Sequence, residues 1–338
     1  MKNRFPSLVL SATVLLLSVF IQTAAAEKPL RLTYSIFFPP AHGQATAAME
    51  WAKEVEKRTA GRLVIDTFPG GTLTPAQDVY DGVVNGISDI GMSCFAYTRG
   101  RFPIMEALDL PMGYPSGLAA TQVANEFYAV MQPKELNDVK VLYLHAHGPG
   151  LLHTKTPVRK MEDLKGMKIR STGFSAKVTE ALGAIPVAMP QGETYEALQK
   201  GVVGGTFTPI ETLKGWKQAE VIKCTTDCPD IGYTTAMFVV MNRAKWDSLP
   251  ADIQKILADL SREWIQKHGE EWDQLDQEGK EFSLSRNNEI IPLSEEESKK
   301  WVAAVAPIID DYRRATNSRG LPGDKAVAEI KRLIQEHK

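Results

Sequence analysis

Residues 157–216 read PVRKMEDLKGMKIRSTGFSAKVTEALGAIPVAMPQGETYEALQKGVVGGTFTPIETLKGW. Within them, the short run MKIR predicts a strand whose last residue is Arg170. The run GTFTP predicts a second strand, which ends at Thr208 because the next residue is Pro209. The carboxyl ends of strands in open α/β sheets border a crevice, so Arg170 is expected there. Its guanidinium is suited to holding a carboxylate by two parallel hydrogen bonds, although an ion pair between neighbouring strands would also explain it.

The chain before this segment alternates strand patterns with helical patterns. Strands are recognised by alternation of apolar and polar residues, and helices by apolar residues at helical spacing with Gly or Pro at their ends. The predicted strands are 30–36, 63–68, 89–93 and 139–144, and the predicted helices are 46–59, 75–85 and 116–131. Such alternation indicates an α/β fold, and the chain is long enough for roughly two domains.

The chain after this segment predicts one strand and three helices. Residues 234–241 form a continuous apolar run, which predicts a strand that returns the chain to the first domain. Residues 250–286 carry apolar side chains at helical spacing, from Ile253 to Leu275, and predict a helix long enough to span both domains. Further helices are predicted from Ser294, an N-cap followed by three glutamates, and after residue 321.

The amino terminus has the pattern of a secretory signal peptide. Lys2 and Arg4 precede the apolar run 8–21 and the small-residue site Ala24-Ala25-Ala26, so residues 1–26 are expected to be removed on export. The formal net charge of the whole chain is −2, and no basic stripe is present. This composition argues against nucleic acid as a partner, and an anionic ligand would have to be held by local charge.

The chain contains three cysteines, which is an odd number for an exported protein. Cys224 and Cys228 are close in sequence, so we expect a disulfide between them, with two unlinked thiols as the alternative. A metal site is less favoured, because no histidine or further cysteine stands nearby at ligand spacing.

Motifs for common catalytic chemistry are absent from the sequence. The Gly-Gly pairs at 70–71 and 204–205 fit no phosphate-binding loop, and no GxSxG, SxxK or HExxH pattern occurs. The histidines His42, His145, His147 and His153 therefore favour polar contacts over a metal site. Catalytic triads assemble from distant residues, so an exported hydrolase remains an alternative.

Three ordered blocks resemble a known family. Residues 161–170 read MEDLKGMKIR, residues 181–187 read ALGAIPV and residues 196–205 read EALQKGVVGG. Together they are similar to the signature of the DctP-type solute-binding proteins of TRAP (tripartite ATP-independent periplasmic) transporters. The resemblance implies a two-lobed periplasmic-binding-protein fold with a hinge and a long helix across both lobes. It also implies that Arg170 binds the ligand carboxylate.

The resemblance and the predicted crossings suggest how the chain divides. Lobe I is expected to comprise residues 27–147 and 236–275, and lobe II residues 148–235 and 276–338. A protein of this kind would bind a small organic acid in the periplasm and deliver it to the TRAP membrane permease. We expect it to be a monomer, to need no cofactor or metal and to catalyse no reaction.

Two positions depart from the family pattern and bear on the ligand. The family's Asn-Pro is replaced by Thr208-Pro209, and a second arginine after the crossing between lobes is replaced by Gly150. The loss of one cation favours a monocarboxylate. Aromatic residues at predicted strand ends, including Phe37, favour an apolar, aromatic body, while a C4-dicarboxylate or a sugar acid remains the alternative. The complete set of predicted ligand-binding residues is Arg170, Thr208, Phe38, His42, Cys94, Phe95, His145, His147, Thr172, Phe207, Trp216 and Tyr233.

Overall fold

The computed structural model describes residues 28–338, which form two β-sheets packed with helices. The predicted signal peptide, residues 1–26, lies outside the described residues. Among residues 28–338, no helix is both long enough and apolar enough to cross a bilayer.

The first sheet has five strands. They are β1 (Leu30–Ile36), β2 (Leu63–Phe68), β3 (Ile90–Cys94), β4 (Val139–Ala146) and β10 (Ala236–Asn242). Their spatial order is β2-β1-β3-β10-β4, with β10 antiparallel to both of its neighbours. Almost every residue of β3 and β10 is buried, as expected for central strands that are covered on both faces. The predicted return of the chain to the first sheet is confirmed.

The second sheet has six strands. They are β5 (Leu151–Thr154), β6 (Lys168–Arg170), β7 (Ile185–Val187), β8 (Gly205–Thr208), β9 (Cys224–Asp227) and β11 (Glu289–Pro292). Their order is β11-β9-β5-β8-β6-β7. β6 and β8 are parallel neighbours, with Arg170 opposite Thr206, so their carboxyl ends lie side by side.

The helices alternate with these strands, which confirms the α/β class. They are α1 (Gly43–Arg58), α2 (Val79–Val84), α3 (Gly117–Met131), α4 (Gly173–Ala181), α5 (Gln191–Gln199), α6 (Thr212–Gly215), α7 (Arg243–Ser248), α8 (Ala251–Ser285), α9 (Glu295–Val305), α10 (Pro307–Ser318) and α11 (Gly323–Glu336). The Ser294 side chain caps α9, as predicted, by accepting a hydrogen bond from the backbone of Glu297. Helix α2 is shorter than predicted, because the backbone closes a turn from Pro75 to Asp78 before the helix begins.

Helix α8 has 35 residues and is therefore about 50 Å long. It packs against α1, α3 and β4 on the side of the first sheet and against α6 and β11 on the side of the second. The predicted helix that spans both parts of the chain is thus confirmed.

The chain passes between the sheets three times: from β4 to β5 through residues 147–150, from β9 to β10 through residues 228–235, and from β10 to β11 by way of α7 and α8. Helix α11, at the end of the chain, packs against α3 beside the first sheet. The exact lobe boundaries given above stay a prediction.

The expected disulfide between Cys224 and Cys228 is wrong, since both are buried free thiols, as is Cys94. Cys224 begins β9 and Cys228 directly follows it, with the intervening residues paired to β11. Four residues of extended strand span about 13 Å. A disulfide needs its Cα atoms within about 7 Å, so closeness in sequence is misleading when the segment is a strand.

Candidate ligand-binding cleft

A cavity with an empty volume of about 420 Å³ lies between the two sheets. Its walls come from the carboxyl ends of β1 and β3 in the first sheet, from those of β6 and β8 in the second, and from the segments that follow them. The lining residues are Phe37, Phe38, Cys94, Tyr97, His147, Arg170, Thr172, Gln191, Phe207, Thr208, Pro209, Glu211, Thr212, Trp216, Tyr233, Thr235, Met237 and Trp272.

Arg170, the last residue of β6, is only 4% exposed. Its Nε and Nη2 both donate to the carbonyl oxygen of Met189, at 3.1 and 2.9 Å, which holds the plane of the guanidinium in place. Within residues 28–338, no carboxylate oxygen lies within 4.0 Å of this guanidinium, and Nη1 has no partner. The ion pair between strands that the sequence left open is therefore not formed. A buried cation without a neighbouring anion raises the free energy of the folded protein, unless a ligand supplies the negative charge.

The start of α4 adds positive potential next to Arg170. Thr172 lines the cavity and is the N-cap of this helix, in a capping box with Ser175. The N-terminus of a helix carries a partial positive charge and favours anions. This end of the cavity is therefore suited to a carboxylate.

Aromatic rings form most of the apolar wall. Phe37 packs on Phe38, with ring centroids 4.0 Å apart, and stacks on Trp216 at 6.2 Å with an interplanar angle of 22°. Trp272 of α8 meets Phe38 edge-on at 5.8 Å, and Phe207 of β8 contributes a further ring. Such rings offer an apolar surface on which a flat apolar group can pack.

His147 is neutral and presents a hydrogen-bond acceptor. Burial and the Arg170 charge lower its pKa to about 4, while its hydrogen bond to Gly148 acts in the opposite direction. Nδ1 lies 2.5 Å from the carbonyl oxygen of Gly148, so Nδ1 carries the proton and donates it. Nε2 therefore keeps a lone pair. His147 can accept from a ligand hydroxyl but cannot donate to a ligand oxygen.

His42 and Glu211 form a buried pair beside the cavity. The backbone N–H of Gln44 donates to His42 Nδ1 at 3.2 Å, and His42 Nε2 lies 3.0 Å from Glu211 Oε2. The backbone N–H of Glu211 donates to Asp276 Oδ1 on α8 at 3.1 Å. Burial and the neighbouring Glu211 raise the pKa of Asp276. The Glu211 side chain is thus held by His42, and its backbone is held by α8.

Tyr97 and Gln191 join the two sides of the cavity. The backbone N–H of Gln191, at the start of α5, donates to the Tyr97 hydroxyl at 3.1 Å. The Gln191 Nε2 is buried and has no hydrogen-bond partner among residues 28–338. It is a donor that a ligand oxygen or a water molecule would satisfy.

The structure brings most of the predicted site residues together. Those that line the cavity are Arg170, Thr208, Phe38, Cys94, His147, Thr172, Phe207, Trp216 and Tyr233. Three predicted residues lie elsewhere: His42 is behind Glu211, Phe95 is in the core against Phe102 and Phe238, and His145 is behind Trp272. His145 accepts from Trp272 Nε1 at 3.1 Å, so it supports a lining residue and does not face the cavity. Burial lowers its pKa well below the usual value.

Sequence reasoning missed several lining residues, notably Tyr97, Gln191, Glu211 and Trp272. Position relative to a predicted strand or helix was the only available signal: Glu211 follows β8 by three residues, and Gln191 begins α5. Trp272 falls within the apolar spacing that predicts the long helix, and that spacing does not distinguish a core residue from a lining residue.

The departure at Gly150 has a steric cause. A Cβ at this position would lie 2.0 Å from the Tyr233 ring, and Gly150 N donates to the Tyr233 carbonyl at 2.9 Å. The ring of Tyr233 also lines the cavity. An aromatic ring therefore occupies the space into which a longer side chain at position 150 would extend.

The chain is similar to known proteins over most of its length. Residues 34–315 match the family DctP, "Bacterial extracellular solute-binding protein, family 7". A TRAP solute-binding protein from a marine metagenome, specific for aromatic acid ligands and crystallised with 3-hydroxybenzoate, has a TM-score of 0.88 and 30% identity, covering 92% of this chain and 99% of its own. Another, from Rhodoferax ferrireducens T118 with copurified benzoate, has a TM-score of 0.86 and 29% identity, covering 91% and 98%.

A curated relative is named for a different ligand. The 2,3-diketo-L-gulonate-binding periplasmic protein YiaO of Escherichia coli (strain K12) is 29% identical over 255 residues, which are 73% of this chain and 76% of YiaO. The family match covers most of the described residues, and both solved structures share the fold of this chain. The chain belongs to the DctP family of bacterial extracellular solute-binding proteins, the periplasmic receptors of TRAP transporters.

Proposed function

We propose that this protein captures an aryl monocarboxylate between its two sheets in the periplasm and delivers it to a TRAP permease. The observation that carries the proposal is Arg170, a buried guanidinium that borders the cavity without an acidic partner within residues 28–338. A ligand carboxylate would supply the missing charge, with the N-terminus of α4 beside it.

The charges around the cavity favour one carboxylate over two. Arg170 is the single Lys or Arg among the described lining residues, while Glu211 supplies an acidic group. A second ligand carboxylate would meet no further cation and would lie near the Glu211 carboxyl group. Tyr233 fills the space next to Gly150, so no side chain of that position can add a cation.

The aromatic wall supports an aryl body. Phe37, Phe38, Phe207, Trp216 and Trp272 offer apolar surface, and burying a ring against them is worth a few kcal/mol at about 25 cal/mol per Å². Two of the similar solved structures hold benzoate and 3-hydroxybenzoate. The YiaO name concerns a sugar acid, so sugar acids are the rival ligand class.

The proposal includes no bond-making step. Burial raises the pKa of the Cys94 thiol, so this lining residue stays protonated at neutral pH and is a poor nucleophile. The protein is proposed to act as a monomer, because a receptor that closes and reopens needs no second copy to complete its cavity.

Isothermal calorimetry with a ligand panel tests the proposal. The panel contains benzoate, phenylacetate, mandelate and indole-3-acetate as aryl acids, with succinate, malate and gluconate as rivals. We expect binding of at least one aryl acid and none of the rivals. Binding of succinate, malate or gluconate without any aryl acid would overturn the ligand class.

A further inference from the structure

Glu211 presents an unused carboxylate oxygen to the same cavity that contains Arg170. From this geometry we propose that Glu211 selects aryl carboxylates that also carry a hydrogen-bond donor on the ring, such as a hydroxyl or an amino group. This inference rests on the proposed function, because the carboxylate must first be held by Arg170. It concerns the other end of the ligand.

The hydrogen bonds of His42 define which Glu211 oxygen is free. His42 Nδ1 accepts from the backbone N–H of Gln44 and so carries no proton. The ring proton must then be on Nε2, which donates to Glu211 Oε2 at 3.0 Å. Oε2 is therefore already occupied as an acceptor.

The other oxygen, Glu211 Oε1, makes no hydrogen bond within residues 28–338, although Glu211 is only 2% exposed and lines the cavity. The residue is also held by its backbone N–H, which donates to Asp276 on α8. Because both its side chain and its backbone are fixed, Glu211 is preorganised to accept a hydrogen bond from a ligand. A bound ligand that covers this oxygen without donating to it would remove its contact with water and give it no hydrogen bond in return, so a donor-bearing ligand is favoured over a plain one.

Glu211 and Arg170 contact different parts of the ligand. Both line the cavity, yet they form no ion pair within 4.0 Å in the part of the chain that the structure describes. A rigid aryl acid can therefore place its carboxylate on Arg170 and a ring substituent on Glu211. A hydrogen-bond acceptor at this position also offers no donor to a second ligand carboxylate.

His147 is a competing acceptor. Its Nε2 has a lone pair and its ring is close enough to Arg170 for that charge to lower its pKa. It would accept from a hydroxyl on the α-carbon, next to the carboxylate. The test must therefore separate ring substituents from α-substituents.

Calorimetry with matched ligands makes this separation. Benzoate is compared with 3-hydroxybenzoate, 4-hydroxybenzoate and 3-aminobenzoate, and phenylacetate with mandelate. The proteins are the wild type, Glu211→Gln and the control Glu196→Gln, which removes an exposed surface carboxylate paired with Lys200. A hydrogen bond to a charged group predicts that a ring donor improves wild-type affinity about tenfold or more, and that Glu211→Gln reduces this ratio to about threefold or less. Glu196→Gln should keep the wild-type ratio.

Three outcomes would overturn the inference while leaving the proposed function intact. They are equal wild-type affinity for benzoate and every ring-substituted acid, an unchanged ratio in Glu211→Gln, and a gain from the α-hydroxyl of mandelate alone. The comparison within the wild type needs no variant, so a Glu211→Gln protein that fails to fold does not remove the test. If no aryl acid binds at all, the proposed function itself fails.

Discussion

Arg170 combines two properties that are rarely found in one structural arginine: it is buried, and its hydrogen bonds go to a backbone carbonyl instead of a carboxylate. The carbonyl of Met189 orients the guanidinium but cannot neutralise it. The folded protein therefore carries the cost of desolvating this charge until an anion binds. Orientation before binding also reduces the entropy that the ligand contact must overcome.

Replacing Arg170 tests this arrangement directly. We expect Arg170→Ala to weaken binding of the best aryl acid by about 2–5 kcal/mol, since the ligand carboxylate is left buried without its partner. Arg170→Lys should recover only part of the lost affinity, because an ammonium group cannot form two parallel hydrogen bonds to the carboxylate. Calorimetry measures both.

The stability of the same variants gives a second readout. Removal of a buried, unpaired cation should leave the melting temperature of the free protein unchanged or higher. Arg159→Ala is the matched control: it removes an exposed arginine of the same half of the chain, paired with Glu289 at 2.7 Å. Near-normal ligand affinity in Arg170→Ala, or an equal loss in Arg159→Ala, would contradict the assignment.

Among the elements, α8 connects the two parts of the chain and also forms part of the cavity. Trp272 lines the cavity and Asp276 holds the backbone of Glu211. One turn later, Gly279 approaches the segment that follows β8, where a Cβ would lie 2.4 Å from the carbonyl oxygen of Ile210. This glycine allows the helix to reach the backbone of the second half of the site.

We expect Gly279→Ala to destabilise the protein by about 1–3 kcal/mol, because the added methyl group would overlap rigid backbone and force α8 away. Helix propensity alone predicts the opposite, a gain of up to about 1 kcal/mol. Urea unfolding decides between the two. Gln277→Ala, at an exposed position of the same helix, is the control. A stabilised Gly279→Ala protein would show that α8 and the backbone at Ile210 are not in tight contact.

At the scale of the whole molecule, hydrogen bonds join the two sides of the cavity. His42, which follows β1, contacts Glu211, which follows β8, and Tyr97 after β3 contacts Gln191 of α5. These contacts are formed when the two sheets lie close, as in a receptor closed around its ligand. The connections between the sheets are few, which is compatible with a hinge.

Ligand binding should therefore make the protein more compact. We predict that the radius of gyration, measured by small-angle X-ray scattering, is smaller with saturating aryl acid than without it. Arg170→Ala in the same ligand solution should show no decrease. Equal radii for free and saturated wild-type protein, at verified occupancy, would count against the hinge.

Buried neutral histidines should make stability depend on pH. Burial lowers the pKa of His268 on α8 to about 3 and that of His153 to about 4, against about 6.5 in an unfolded chain. Between those values the unfolded chain binds more protons, so each histidine reduces the free energy of unfolding as the pH falls, by up to about 1.4 kcal/mol per pH unit. Burial raises the pKa of acids such as Asp109. These groups have the opposite effect, since they increase the free energy of unfolding as the pH falls.

A variant isolates the histidine effect. His268 contacts Gln44 and the Tyr143 hydroxyl, so His268→Gln retains a polar side chain at this position without the titration. Urea unfolding from pH 7 to pH 4 should show a smaller loss of stability in the variant than in the wild type. The same loss in both proteins would contradict the effect.

The sequence alone determined those features that depend on local pattern. The strand at residues 30–36, the long helix α8 and the strand that ends in Arg170 were all predicted. Each is signalled by periodicity and end residues within a short stretch of the chain. The resemblance of three sequence blocks to the DctP-type proteins also predicted the family. Where the pattern was ambiguous, local reasoning failed: the sequence spacing of Cys224 and Cys228 suggested a disulfide that an extended strand makes impossible.

Only the tertiary structure decided how distant residues meet. His42 and Glu211 are far apart in the chain and become partners because β1 and β8 end at the same cavity. Nothing in the sequence near Arg170 indicates that it lacks an acidic neighbour, and nothing near His145 indicates that Trp272 separates it from the cavity. Packing between elements sets these distances, tautomers and free hydrogen-bonding atoms, and they define the chemistry that the cavity offers to a ligand.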